Sequence, residues 1–199
     1  MEYPWSALGT PRMVGMVATT GGYQAIPTIL SELPREFPLP LLVVQAMPDT
    51  FLDNFVARLA DKSCLPVAAA VGGEVPEPGK VYVAGTDRHV LIEHGRLRYA
   101  EREPGVCKTM DAMFRSMARE LGPGAVAVIL TGMGPDGAEG MKDVRDAGGY
   151  TIAQDEATSI IDHKARCAVR LEAVCEILPL SGIAPRLLEL VANSPPGTR

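Results

Sequence analysis

The sequence has no excess of positive charge, no long apolar run and no paired metal-binding residues. Its 19 Lys and Arg against 24 Asp and Glu leave a formal charge of −5. That balance disfavours a nucleic-acid groove or an anionic membrane surface as the main partner. No stretch approaches the roughly 20 apolar residues of a spanning helix, so no membrane insertion is expected. The opening "MEYPWSALGT" lacks the basic segment and apolar core of a secretory signal. The four cysteines, Cys64, Cys107, Cys167 and Cys175, form no CxxC pair, and the three histidines are scattered. A zinc site needs ligands paired at short spacing, so no metal is expected. The thiols read as small buried or half-buried groups in a reducing cytosol, with Cys167 on a helix and Cys175 on a strand. There is no GxGxxG, no internal repeat and no low-complexity segment; no dinucleotide or other cofactor is implied.

What is present is alternation. Apolar runs suited to strands occur at 12–18, 39–46, 65–71, 80–85, 124–130, 150–155 and 173–180. Helix-period segments occupy 23–33, 49–62, 109–121, 136–149 and 184–192. Pro27 suits the 23–33 helix only within its first turn, and Thr109 is placed to cap the 109–121 helix. Residues 89–101 read as a hairpin turning at His94-Gly95. The pattern predicts one α/β domain over 12–192, with a loose arm at 1–11 and a tail at 193–199. Its fold class is doubly wound: a mostly parallel sheet with helices on both faces, three-layered and Rossmann-like, plus a small antiparallel hairpin.

In such folds ligands bind beyond the carboxyl ends of the strands. Three loops lie there: "VATTGGY" (17–23), "QAMPDTF" (45–51) and "TGMGPDG" (131–137). The first offers two hydroxyls and two glycines. It reads as a nucleophile turn or oxyanion cradle, or as Thr19 and Thr20 capping a helix. In the second, Asp49 or Thr50 can cap the following helix. In the third, Asp136 either has a chemical role or caps the helix that begins there.

Together these motifs resemble the catalytic (CheB-type) domain of the chemotaxis receptor protein-glutamate methylesterase family. The family pattern Gly-Ala-Ser-Thr-Gly-Gly-Pro is met by Val17-Ala18-Thr19-Thr20-Gly21-Gly22-Tyr23, Gln-His-Met-Pro by Gln45-Ala46-Met47-Pro48, and Thr-Gly-Met-Gly-x-Asp-Gly by residues 131–137. Further likeness lies in "GKVYVAGTDRHV", "MDAMFRS", "GGYTIAQDEATS" and "EILPLSGIAP", and extends over roughly 12–190. The resemblance implies hydrolysis of glutamyl methyl esters, and in some members deamidation of glutamine, on chemoreceptors. It implies a Ser-His-Asp triad. The nucleophile falls on Thr19, the general base on Ala46 and the orienting aspartate on Asp136, with oxyanion donors at Met133 and Thr20.

Two of those three positions are changed. A hydroxyl attacks an ester only if a neighbouring base takes its proton, and alanine cannot. Loss of such a base lowers turnover roughly a million-fold. The expected function is therefore a cytoplasmic chemosensory module with impaired chemistry. It would bind the cytoplasmic part of methyl-accepting chemoreceptors or another chemosensory protein. The alternative is an active esterase or deamidase using Thr19 and a substitute base. Of the histidines, His89 reads as structural and His94 as solvated. His163, in "SIIDHKARCA" where the family usually has Gly-Met-Pro, reads as a surface residue on the site's rim, and Tyr23 as filling the pocket. The family usually carries an N-terminal receiver domain; none is expected ahead of a first strand that begins about a dozen residues into the chain.

Overall fold

The computed structural model describes residues 10–102 and 108–193. The expected arm and tail lie outside these residues apart from Thr10, Pro11 and Asn193, as does Cys107. The apolar runs form seven strands of one parallel sheet: β1 (Met13–Ala18), β2 (Leu41–Gln45), β3 (Val67–Ala69), β4 (Val81–Ala84), β7 (Ala125–Ile129), β8 (Tyr150–Gln154) and β9 (Glu176–Leu178). Their order is β3-β4-β2-β1-β7-β8-β9. The hairpin β5 (His89–Glu93) and β6 (Arg96–Ala100) is separate and antiparallel. It turns at His94 and Gly95, both with positive φ.

Strands covered on both faces must be apolar at every position, and β1, β2, β4, β7 and β8 are buried throughout. Alternate side chains feed two cores. Val14, Met16 and Ala18 pack with residues of α1 (Gly22–Glu32), α2 (Leu52–Ala60) and α6 (Leu180–Ala192). Met13 and Val17 pack with the hairpin and with α3 (Thr109–Leu121), α4 (Ala138–Asp146) and α5 (His163–Arg170). Each large apolar side chain so buried contributes roughly 1.5–3 kcal/mol.

The chain leaves β1 through α1 to reach β2 on one side, while β7 pairs with β1 on the other. The strand order reverses there, and a crevice opens between the carboxyl ends of β1 and β7. Thr19 and Thr131 are the residues at that crevice.

Three local expectations are corrected. Pro27 lies in the second turn of α1, not the first. The carbonyl that a residue-27 N–H would have satisfied is that of Tyr23, and Arg58 Nε donates to it at 3.4 Å instead. Thr109 does not cap α3: its hydroxyl is buried without a hydrogen-bond partner among the described residues. Asp49 and Thr50 cap nothing through their side chains; they form a short 3-10 turn that enters α2. Helix α5, left without an assigned span by periodicity, has only eight residues. Its Cys167 is helical as expected, while Cys175 sits just before β9.

Candidate active site

Gly21, at φ 93°, is the N-cap of α1, and no side chain caps that helix. The two threonines are therefore not helix caps. The Thr19 hydroxyl instead turns across the crevice. Its Oγ1 accepts the Met133 N–H at 2.7 Å and donates to the Met133 carbonyl at 3.2 Å. The Thr19 N–H donates to the Thr131 carbonyl at 3.2 Å. Gly132 is required at this crossing, because a Cβ there would lie 2.1 Å from Thr19 Oγ1.

Ala46 joins from the second loop, its N–H donating to the Ala18 carbonyl at 3.0 Å. Buried Gln45 donates from Nε2 to the Thr19 carbonyl at 2.9 Å, while its Oε1 has no hydrogen-bond partner among the described residues. Gln154, also buried, holds the third loop by accepting the Thr131 N–H at 2.9 Å. The 159–164 segment closes the rim: Gly132 N–H donates to Ile161 O at 2.7 Å and Lys164 N–H to Gly132 O at 3.0 Å. Thr20 is exposed, and its carbonyl accepts from the Thr131 hydroxyl at 3.0 Å.

The structure thus brings Thr19, Ala46 and Met133 together. Asp136 lies three residues beyond Met133 and engages the start of α3. Its Oδ1 accepts the Asp111 N–H at 2.9 Å and its Oδ2 the Met110 N–H at 3.2 Å. Those are second and third residues of α3, the donors an N-cap side chain serves. Asp136 therefore caps α3, and not α4 as its position in the sequence suggested. Asp111 returns the favour: its Oδ1 accepts from Gly137 and Gly140 at 2.9 and 2.8 Å, capping α4. Gly140 lets the helices approach this closely, since a Cβ there would lie 2.5 Å from the Asp111 carbonyl oxygen. Burial raises the Asp111 pKa, and Asp136 adds to the rise, while the Gly140 and Gly137 N–H bonds oppose it. The Lys164 side chain is fully buried and its Nζ donates to the Asp136 carbonyl.

Sequence reasoning missed Asp111, Gln45 and Lys164 as parts of this frame. An acidic residue in the first turn of α3 was a readable signal for Asp111. Its partners, however, lie on another helix. His163 stands closer to the site than a surface residue. It is half-buried, and its Nδ1 accepts the Gly134 N–H at 3.2 Å. With that lone pair occupied, the neutral ring carries its proton on Nε2. His94 is exposed at the hairpin tip, and His89 begins β5. Tyr23 packs on Phe55 with ring centroids 4.6 Å apart and remains 38% exposed.

A parallel sheet of this strand order, flanked by helices, with a hydroxyl facing a glycine-rich loop across its switch point, places the domain in the doubly wound, Rossmann-like α/β class. The family model for the CheB methylesterase matches residues 14–187. This chain belongs to that family. It is 42% identical over 185 residues to protein-glutamate methylesterase/protein-glutamine glutaminase 2 of Paramagnetospirillum magneticum, covering 92% of this chain and 52% of that protein. It is 44% identical over 191 residues to protein-glutamate methylesterase/protein-glutamine glutaminase 4 of Anaeromyxobacter dehalogenans, covering 93% and 53%. The chain thus spans about half the length of these curated relatives. Its fold matches the crystal structure of the Thermotoga maritima CheB methylesterase catalytic domain with a TM-score of 0.81 and 29% identity, over 91% of this chain and 99% of that one.

Proposed function

We propose that this chain is a chemosensory module of the methylesterase fold in which ester hydrolysis is lost. It acts in the cytoplasm by binding the methyl-accepting part of chemoreceptors or another chemosensory protein. One observation carries this reading. Among the described residues the Thr19 hydroxyl bonds only to the Met133 backbone, and the residue matching the family's base is Ala46. The backbone carbonyl of Met133 cannot take a proton at neutral pH. The same contact engages the Met133 N–H that an oxyanion would need. Asp136, matched to the orienting aspartate, has no imidazole at position 46 to orient, and its carboxylate oxygens accept the Met110 and Asp111 N–H groups of α3.

The test is methanol release from a methylated receptor fragment by four proteins: the parent, Thr19→Ser, Ala46→His and the double variant. The parent and Thr19→Ser stay near background. Ala46→His turns over slowly, and the double variant fastest. A parent as fast as the double variant refutes the reading.

The names of the relatives favour a second reading, an active esterase or glutaminase, and His163 gives it a candidate base. Its ring contacts the residue next to Met133. The occupied Nδ1 lone pair opposes it. Hydrolysis by the parent that disappears in His163→Gln while folding is retained would establish this second reading.

A further inference from the structure

We propose that Cys167 is a reversible modification site: its thiol exchanges with a small, carboxylate-bearing disulfide of the glutathione class, seated in the cavity between α3, α4 and α5. Thr19, Ala46 and Met133 do not line this cavity, and the proposal holds whether or not Thr19 has a base.

Cys167 is half-buried on α5, and its Sγ lies 4.0 Å from both ring nitrogens of His163, one turn earlier. The Gly134 N–H occupies Nδ1, so Nε2–H is left to donate to a thiolate at Sγ. The thiolate is the attacking form in disulfide exchange, and this bond orients it. The other described cysteines lack such a setting. Cys64 is exposed, and Cys175 Sγ accepts the Thr151 hydroxyl at 3.2 Å. The cavity that Cys167 lines measures about 340 Å³, enough for a small molecule. Of its charged groups all but one are engaged. Lys108 and Glu139 pair at 2.9 Å, and Asp111 and Asp136 accept the cap N–H groups of α4 and α3. Arg170, exposed and three residues beyond Cys167, lines the cavity with no acidic partner among the described residues. A free guanidinium beside a thiol recruits a ligand carboxylate and repels a cation.

In the exchange the Cys167 thiolate attacks one sulfur of the disulfide. A new S–S bond to Cys167 forms and the small molecule's S–S bond breaks. The other half leaves as a thiolate, and the proton released by Cys167 reaches it through water. The Cys167 sulfur is oxidised as the departing sulfur is reduced, and a free thiol reverses the step. The adduct also reaches the third loop. Pro135 and Asp136 line the same cavity, and the His163 ring that touches Sγ holds the Gly134 N–H. An adduct on Sγ displaces that ring and frees the Gly134 amide, one residue from the Met133 backbone that binds Thr19.

The experiment incubates the full chain with oxidised glutathione, which carries carboxylates, or with cystamine, which carries ammonium groups and none. Peptide mapping by mass spectrometry follows the adduct on each cysteine with time. With oxidised glutathione, Cys167 should react about fivefold or more faster than Cys64, the reverse of what exposure alone dictates, and dithiothreitol should remove the adduct. Arg170→Ala, at an exposed position, should slow that reaction about threefold or more and leave the cystamine reaction at Cys167 unslowed. Hydrogen exchange at the Gly134 amide should quicken about tenfold or more in the treated parent but not in treated Cys167→Ser. Cys167 reacting no faster than Cys64 overturns the proposal. An Arg170→Ala rate that is unchanged, or lowered equally with both disulfides, overturns the carboxylate seat. Unchanged exchange at Gly134 overturns the link to the third loop.

Discussion

Replacing Asp111 by alanine tests the reciprocal capping that positions the third loop. The substitution removes the acceptor shared by the Gly137 and Gly140 N–H groups, at 2.9 and 2.8 Å, from a site where Asp111 is only 2% exposed. Each buried N–H left without a partner costs about 1–3 kcal/mol. Part of that loss is offset because a buried carboxylate no longer has to be kept ionised. The expected net destabilisation is about 2–4 kcal/mol, or a fall in Tm of roughly 4–16 °C for a chain of this size. Asp111→Asn keeps an oxygen acceptor and should cost less than about 1.5 kcal/mol. The two variants also differ in pH dependence. Burial raises the folded-state pKa of Asp111 above its unfolded value. The folded protein therefore holds this proton more tightly. The resulting contribution is fully present below the unfolded pKa, near about 3.9, and is lost as pH rises through the raised folded value. Both variants should remove that component of the slope. Urea unfolding followed by circular dichroism from pH 4 upward measures both effects. An alanine variant within about 0.5 kcal/mol of the parent would refute the capping argument.

Other consequences can be checked in parallel. Gly132→Ala should expel the Thr19 side chain from its contact with Met133, because the new Cβ would sit 2.1 Å from Oγ1; a loss of about 2 kcal/mol or more in unfolding free energy is expected. In a double-mutant cycle, Arg58→Met should cost about 0.5–1 kcal/mol in the parent and less in Pro27→Ala, where a helical N–H again reaches the Tyr23 carbonyl; equal costs in both backgrounds would disprove the compensation. Treatment with a chelator should leave the unfolding midpoint unchanged, in keeping with the scattered cysteines and histidines; a shift on metal removal would contradict the sequence reading.

The order of strands and of every helix except α5, the parallel sheet with its separate hairpin, and the loops that meet at the switch point were legible in the sequence. Apolar runs without alternation demand burial on both faces, and helix-period segments between them demand crossovers. That logic is local in the chain and survives without coordinates. The presence of Thr19 and Ala46 in facing strand-end loops followed from the same reading, with their matched roles supplied by family resemblance. Short-range signals misled where the partner was remote. Thr109 is suited by type and position to cap α3, yet the cap is Asp136 from a loop 25 or more residues away. Asp136 precedes α4, yet α4 is served by Asp111. Pro27 reads as tolerable only in the first turn of its helix, yet it lies in the second, where Arg58 from α2 attends the carbonyl it leaves open. His163 carries no periodic signal, and its contact with Gly134 exists only because α5 folds back onto the third loop. Hydrophobic pattern is a property of neighbouring residues, so the sequence by itself determined the architecture. Which hydroxyl, carboxylate or imidazole meets which donor depends on side chains brought together across the sheet edge, and only the tertiary structure decided that.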